Sequence, residues 1–193
     1  MTEQFNPWSS IVHMFSTKGN ALYMISEAIT QEEHALQTYV KMKELGGDVY
    51  QQVGALLHDV GHLLEDQPID PNTGVNDAHE YTGAQWLKKN GFDERVWSPV
   101  LLHVDAKRYL CGVKPQYHDT LSEASKITLL LQGGPMLPWE QKIFEQSPHF
   151  KAAIMLRHCD DRGKDVKLTD LPSLESLQET VMACVKKISL QNK

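Results

Sequence analysis

Apolar residues in this chain recur at the spacing of helices, and the alternation typical of strands is nearly absent. Thr30-Gln31-Glu32-Glu33 has the form of a capping box, and Ala35, Leu36, Tyr39, Val40 and Met42 follow it. The pattern predicts a helix from about Thr30 that stops at Gly46-Gly47, where a left-handed cap is easy for glycine. Asp48 caps the next predicted helix, which runs through Val53, Leu56, Leu57 and Val60 and carries His58-Asp59 and His62. Pro68, Pro71, Asn72, Gly74 and Asn76 mark residues 65–77 as a loop. Helical patterns resume over about 78–89 and 93–110, and a second loop is expected at 112–120. A helix near 122–132 is stopped by Gly133-Gly134-Pro135, and further helices are expected near 138–146, 148–160 and 172–187. No repeat, low-complexity tract or linker marks a boundary. The expectation is a single all-α domain over 1–193, a helical bundle with its chemistry in a core of about 27–164.

Composition sharpens this picture. At 193 residues the chain buries enough surface, roughly 70% of what the unfolded form exposes, to need no metal or disulfide for its core. Any metal is free for chemistry. With 19 Lys and Arg against 25 Asp and Glu, the net charge is −6, and such a balance lacks the basic face that nucleic acids and anionic membranes require. Cys111, Cys159 and Cys184 form no CxxC pair, which fits a reducing compartment. Residues 1–20 show no basic segment followed by a long apolar run. A cytoplasmic protein is expected, and its oligomeric state is not legible here.

The unusual feature is nine histidines, several set beside acidic residues. In Leu56-Leu57-His58-Asp59-Val60-Gly61-His62, a histidine and an aspartate adjoin at the end of an apolar helix. Adjacent helical side chains diverge by about 100°, so both reach one cavity only if the helix end faces it. A buried unpaired carboxylate there costs several kcal/mol without a cation, which points to a metal. His62 follows His58 at one helical turn; His34 lies upstream, and His79, His103 and Asp160 downstream. Four imidazoles and two carboxylates suit iron or manganese, and the lack of usable thiolates argues against a structural zinc.

This order of residues, His34, then His58-Asp59, then a late Asp160, resembles the HD-domain superfamily of helical metalloproteins. The superfamily's minimal set implies one metal and commonly phosphate-ester hydrolysis. His79 and His103 fall where binuclear members place two more ligands, so the resemblance implies six ligands for two metals, with Asp59 as the bridge. The Gly-Tyr-Pro signature of cyclic-dinucleotide phosphodiesterases is missing after His79-Glu80. From about Glu27 to Lys164 the chain is instead similar to the mixed-valent di-iron oxygenases of organophosphonate catabolism, the PhnZ-like group. Carrying that likeness are Glu27-Ala28-Ile29-Thr30-Gln31, His103 with Ala106-Lys107-Arg108-Tyr109-Leu110, Leu121-Ser122-Glu123-Ala124-Ser125, Gln132-Gly133-Gly134-Pro135-Met136, and Asp160 with Gly163-Lys164.

The resemblance implies two iron ions, Fe(II)/Fe(III), held by His34, His58, Asp59, His79, His103 and Asp160, and O2 as co-substrate. It implies that His62, Lys107 and Ser125 grip a phosphonate and that Glu27 meets a cationic group on the substrate. The implied reaction is oxidative C–P cleavage of a small 1-hydroxyphosphonate, such as 2-amino-1-hydroxyethylphosphonate or its N-trimethyl relative, to phosphate and a carboxylic acid. The rival is a metal-dependent phosphohydrolase on the same ligand set. Two points of geometry accompany the likeness. Lys107 follows His103 by four residues, so on a continuous helix both share a face, and Ser125 lies near a helix N-terminus, which favours phosphate-like groups. One departure concerns a tyrosine that relatives carry three residues before the glutamate matching Glu27, where it occupies an iron position until substrate arrives. This chain has Met24 there and Tyr23 beside it, so Tyr23 is either a substitute gate or a packing residue. Residues 65–77 and 112–120 are expected to be loops that close over the pocket.

Overall fold

The computed structural model describes residues 6–23, 28–65 and 74–186. Among them lie eleven α-helices and no strand beyond isolated bridges, an all-α architecture. The first helix, α1 (Pro7–Lys18), starts where Asn6 accepts a hydrogen bond from the Trp8 amide and Pro7 sits at the first helical position. It presents Trp8, Ile11, Met14 and Phe15 to the core. The sequence reading had no helix here. α2 (Gln31–Glu44) opens on the expected capping box: the Glu33 amide donates to Thr30 Oγ1 at 3.1 Å and the Thr30 amide to Glu33 Oε2 at 2.7 Å. Asp48 and Gln51 build a second box for α3 (Val49–Leu56).

Here the structure departs from the pattern. The helix expected to carry His58-Asp59 ends at Leu56, and α4 (Val60–Leu64) begins only after a turn over 57–59. Leu57 and Asp59 leave helical geometry at φ −110° and −101° with ψ near zero, so His58 and Asp59 belong to neither helix. The break removes the divergence that a continuous helix would impose on adjacent side chains.

α5 (His79–Lys89) is followed by the twenty-residue α6 (Glu94–Val113), which Asp93 caps through the Arg95 amide and which runs through Pro99 without interruption. The loop expected at 112–120 is largely the short helix α7 (Pro115–Thr120), for which Pro115 supplies the preset first φ. α8 (Glu123–Leu131) starts on the Ser122 cap, and α9 (Pro138–Phe144) and α10 (Phe150–Arg162) follow. The expected C-terminal helix is shorter: a 3-10 turn, Glu175–Leu177, and α11 (Gln178–Ala183). Most of the expected loop at 65–77 lies outside the described residues.

α6 is the axis, packed by α3, α5 and α10, with α2 lying across α3 and α10. Ile11, Phe15, Leu36, Leu56, Leu57, Leu87, Val96, Val100 and Val181 form the main core on one side. No described helix is long and apolar enough to cross a membrane.

Candidate metal centre

Polar groups are buried where these helices meet. His34 comes from the first turn of α2, His58 and Asp59 from the turn before α4, His79 from the start of α5, His103 from the middle of α6 and Asp160 from the last turns of α10. His34 and His58 are fully buried, and none of the six is more than 8% exposed.

Each imidazole is oriented through Nδ1, which faces an oxygen: the carbonyl of Gly163 at 2.8 Å for His34, of Ala55 at 2.9 Å for His58 and of Val100 at 2.7 Å for His103, and Asp77 Oδ1 at 2.9 Å for His79. These oxygens only accept, so Nδ1 carries the proton, and a neutral ring then offers its Nε2 lone pair to the pocket. The Nε2 atoms of His34 and His58 are 3.2 Å apart, and those of His79 and His103 are 3.1 Å apart. Lone pairs that converge in this way call for a cation between them.

The carboxylates complete the arrangement. Asp59 is divided: Oδ2 lies 3.6 and 3.2 Å from the Nε2 atoms of His34 and His58, while Oδ1 lies 3.4 and 3.5 Å from those of His79 and His103. Asp160 Oδ1 is 3.3 Å from His34 Nε2. Both Asp59 oxygens and Asp160 Oδ1 are buried with no hydrogen-bond partner among the described residues. Ligand atoms about 2.1 Å from a common ion in tetrahedral or octahedral geometry lie about 3.0–3.4 Å from one another, close to the separations found here. The donors therefore fit two ions of a hard-to-borderline metal, one inside His34, His58 and Asp160 and one inside Asp59, His79 and His103.

The surrounding field separates the two outer imidazoles. Burial drives His103 down to about 3, and the neighbouring His79 adds to the effect. Burial also opposes charge on His79, but its hydrogen bond to Asp77 and the Asp59 carboxylate raise it to about 9. Burial acts against the Asp59 anion too, yet the surrounding imidazoles, His58 foremost, hold it well below the usual carboxylate range.

Around this centre stand the other residues singled out in the sequence. Lys107 is buried on the continuous α6, one turn from His103, and donates to Thr128 Oγ1 at 2.9 Å. Burial pushes its ammonium down to about 7, helped by Arg157. Ser125 is buried in the first turn of α8, with Lys164 Nζ 3.5 Å from its hydroxyl. His62 is separated from His58 by the helix break; it stacks on His79 at 4.1 Å between ring centroids and lies 3.1 Å from Asp77 Oδ2. Tyr23 reaches the pocket from the bridge that pairs Leu22 with Thr30, and its ring stacks on His34 at 3.8 Å. Burial first, then the charges of Asp59 and Asp160, hold its phenol well above the ordinary value. Glu27 and Met24 lie outside the described residues.

Two groups, Asp77 and Arg157, were missed in the sequence. Asp77 supports His79 and His62. Arg157 is buried one turn before Asp160 and donates to Asp160 Oδ2 at 2.6 Å, leaving Oδ1 to face His34. It also pairs with Asp161, whose Oδ2 takes the Tyr117 hydroxyl at 2.5 Å, so Asp161 is turned away from the imidazoles. Lys164 Nζ is 3.8 Å from Asp160 Oδ1. The acid at two residues before His79 and the base at three before Asp160 were the available signals.

The model of the HD domain matches residues 32–132. The chain belongs to the HD-domain family. The hydroxymethylphosphonate dioxygenase of Gimesia maris is 38% identical over 92% of this chain and 88% of its own length. A [1-hydroxy-2-(trimethylamino)ethyl]phosphonate dioxygenase (glycine-betaine-forming) of Leisingera caerulea is 40% identical over 78% of this chain and 76% of its own. An uncharacterised protein of Acanthamoeba polyphaga mimivirus is 35% identical over 81% and 72%.

Proposed function

We propose that this HD-domain protein is a cytoplasmic di-iron oxygenase that cleaves the C–P bond of a small 1-hydroxyphosphonate with O2, giving phosphate and a carboxylic acid. The reading is supported by two phosphonate dioxygenase relatives aligned over most of the chain. Its binuclear part is supported in the structure by Asp59, whose two oxygens face two separate pairs of imidazoles, and the choice of oxygenase over hydrolase by those relatives. The reaction balances as one O2 consumed: one oxygen atom becomes part of the carboxylic acid and one of the phosphate.

In this reading His34, His58 and Asp160 would hold one iron and His79 and His103 the other, with Asp59 shared between the two sets, as an Fe(II)/Fe(III) pair. Bound there, the iron pair supplies Lewis acidity and the redox capacity that reaction with O2 requires. The chain supplies position and charge. Lys107 stands ready to neutralise the phosphonate oxygens, His62 lies against them, and the Ser125 hydroxyl donates to them. Because Lys107 is buried and, among the described residues, has only a neutral hydroxyl as its hydrogen-bond partner, an anion beside it restores the full positive charge that burial disfavours. Tyr23, stacked on His34, covers the inner side of the pocket and is the candidate gate that substrate moves aside. Glu27 meets the substrate's cationic tail, which makes 2-amino-1-hydroxyethylphosphonate and its N-trimethyl relative the preferred candidates.

The test is phosphate release from a panel of hydroxyphosphonates by aerobic, iron-loaded protein. Release that stops under strict anaerobiosis, with label from 18O2 in the products, is the expected result. Undiminished release without oxygen identifies a phosphohydrolase instead.

A further inference from the structure

Three of the four imidazoles that face the metal pocket are oriented by main-chain carbonyls. His79 is the exception, held by the Asp77 carboxylate, and the backbone there is unusual. Ala78, between Asp77 and His79, has φ 50° and ψ 34°, and it is the one non-glycine residue with positive φ among the described residues. L-residues avoid this conformation because Cβ crowds the following carbonyl. The bend folds Asp77 back over the start of α5, where Oδ1 meets the Nδ1 of His79 at 2.9 Å and its amide at 3.4 Å.

The second oxygen has a different partner. Asp77 Oδ2 lies 3.1 Å from His62 Nδ1 on α4, and the rings of His62 and His79 are stacked 21° from parallel. A main-chain carbonyl offers one oxygen; the carboxylate offers two, and here each serves one imidazole. The helices carrying those rings touch through their backbones at Gly61, where a Cβ would collide with the His79 carbonyl. His62, Asp77 and His79 also satisfy the geometry of a metal-binding trio. However, both nitrogens facing Asp77 are at hydrogen-bond distance from their own oxygen, so the trio is already satisfied without an ion.

We infer that Asp77 is a positioning residue that locks a metal-facing imidazole and a substrate-facing imidazole into one unit. The inference rests on the proposed roles of His79 as iron ligand and His62 as phosphonate contact. Asp77 touches neither iron nor substrate. It fixes the tautomer and tilt of His79 through one oxygen and the tilt of His62 through the other, and the left-handed Ala78 aims it at both.

The experiment uses the full chain, Fe(II) titrated anaerobically and inorganic phosphate as the anion probe. Wild type is expected to hold two ions. Asp77→Ala is expected to keep the inner ion at unchanged affinity and to lose about 10–100-fold at the outer one, the usual effect of removing such a partner. Asp77→Asn, with one carbonyl oxygen, is expected to fall between, and it serves if Asp77→Ala does not fold. Phosphate binding adds a readout that a purely structural role would not move: His62→Ala weakens it in the wild type but adds nothing once Asp77 is alanine. Ala78→Gly, which keeps the carboxylate and relieves the backbone, is expected to retain both ions. Unchanged iron affinity in both Asp77 variants overturns the inference, as does additive loss of phosphate binding. A third ion in the wild type that vanishes in Asp77→Ala overturns it too, in favour of a metal site. Two bound irons with hydroxyphosphonates left intact would defeat the oxygenase reading and leave the role of Asp77 standing.

Discussion

The two halves of the pocket are built from different materials. The inner group, His34, His58 and Asp160, is almost wholly buried and backed by the carbonyls of Gly163 and Ala55 and by the Arg157 guanidinium. The outer group, Asp59, His79 and His103, is slightly more exposed and depends at His79 on a side chain, Asp77. Main-chain supports move only when a helix moves. A side-chain support answers to rotamers, to protonation and to whatever binds beside it. The inner imidazoles are thus held by main chain alone, and the outer pair by one main-chain carbonyl and one carboxylate.

The largest expected effect abolishes the contrast. Asp59→Ala removes one oxygen from each half, so both ions should be lost, together with oxygen-dependent phosphate release; metal analysis after desalting checks this. Retention of one ion would show that the halves are independent.

Next comes the inner support. Arg157→Met leaves Asp160 buried without its partner, a change that costs about 3–5 kcal/mol in comparable buried pairs, read as a fall in urea midpoint of the metal-free protein. The inner ion should weaken with it, while the outer one is spared.

The outer half should respond to pH. His79, raised to about 9, holds a proton that the unfolded chain has lost, so its contribution to stability is complete below about 6.5 and disappears as pH rises through 9. His103, lowered to about 3, refuses a proton that the unfolded chain accepts, so stability falls as pH drops from 6.5 towards 3. The melting temperature of chelator-treated protein should therefore decline on both sides of about pH 6.5 through these two groups. Outer-ion binding at neutral pH should release a proton from His79, measurable as a buffer-dependent heat.

The smallest effect separates helix stability from the centre. Thr30→Ala removes the cap of α2, which carries His34, and should cost about 1 kcal/mol with both ions retained.

Much of this was legible in the sequence because the signals are local. The capping box at Thr30 and the cap at Asp48 each start a helix where expected, and the helices predicted from about 93 and 122 begin there too. The start of α1 was equally local, in Asn6-Pro7 and the spacing of Trp8, Ile11 and Phe15, and reading that stretch only for a leader passes over it. The break at 57–59 has no Gly or Pro to announce it. Its support is tertiary, with His58 turned back to the Ala55 carbonyl and Asp59 turned towards four imidazoles. The roles of Asp77 and Arg157 went unread for a related reason, although both stand near a candidate ligand in the sequence. A charged residue near a histidine or aspartate looks like solvated surface until the distance across the fold is known.

Gly61 carries one more consequence. Where main chain rests directly on main chain, spacing is governed by atomic radii rather than by compressible side chains, so thermal agitation has little slack to exploit. Whatever loosens with temperature in this molecule, the gap between the fourth and fifth helices should be among the last dimensions to drift.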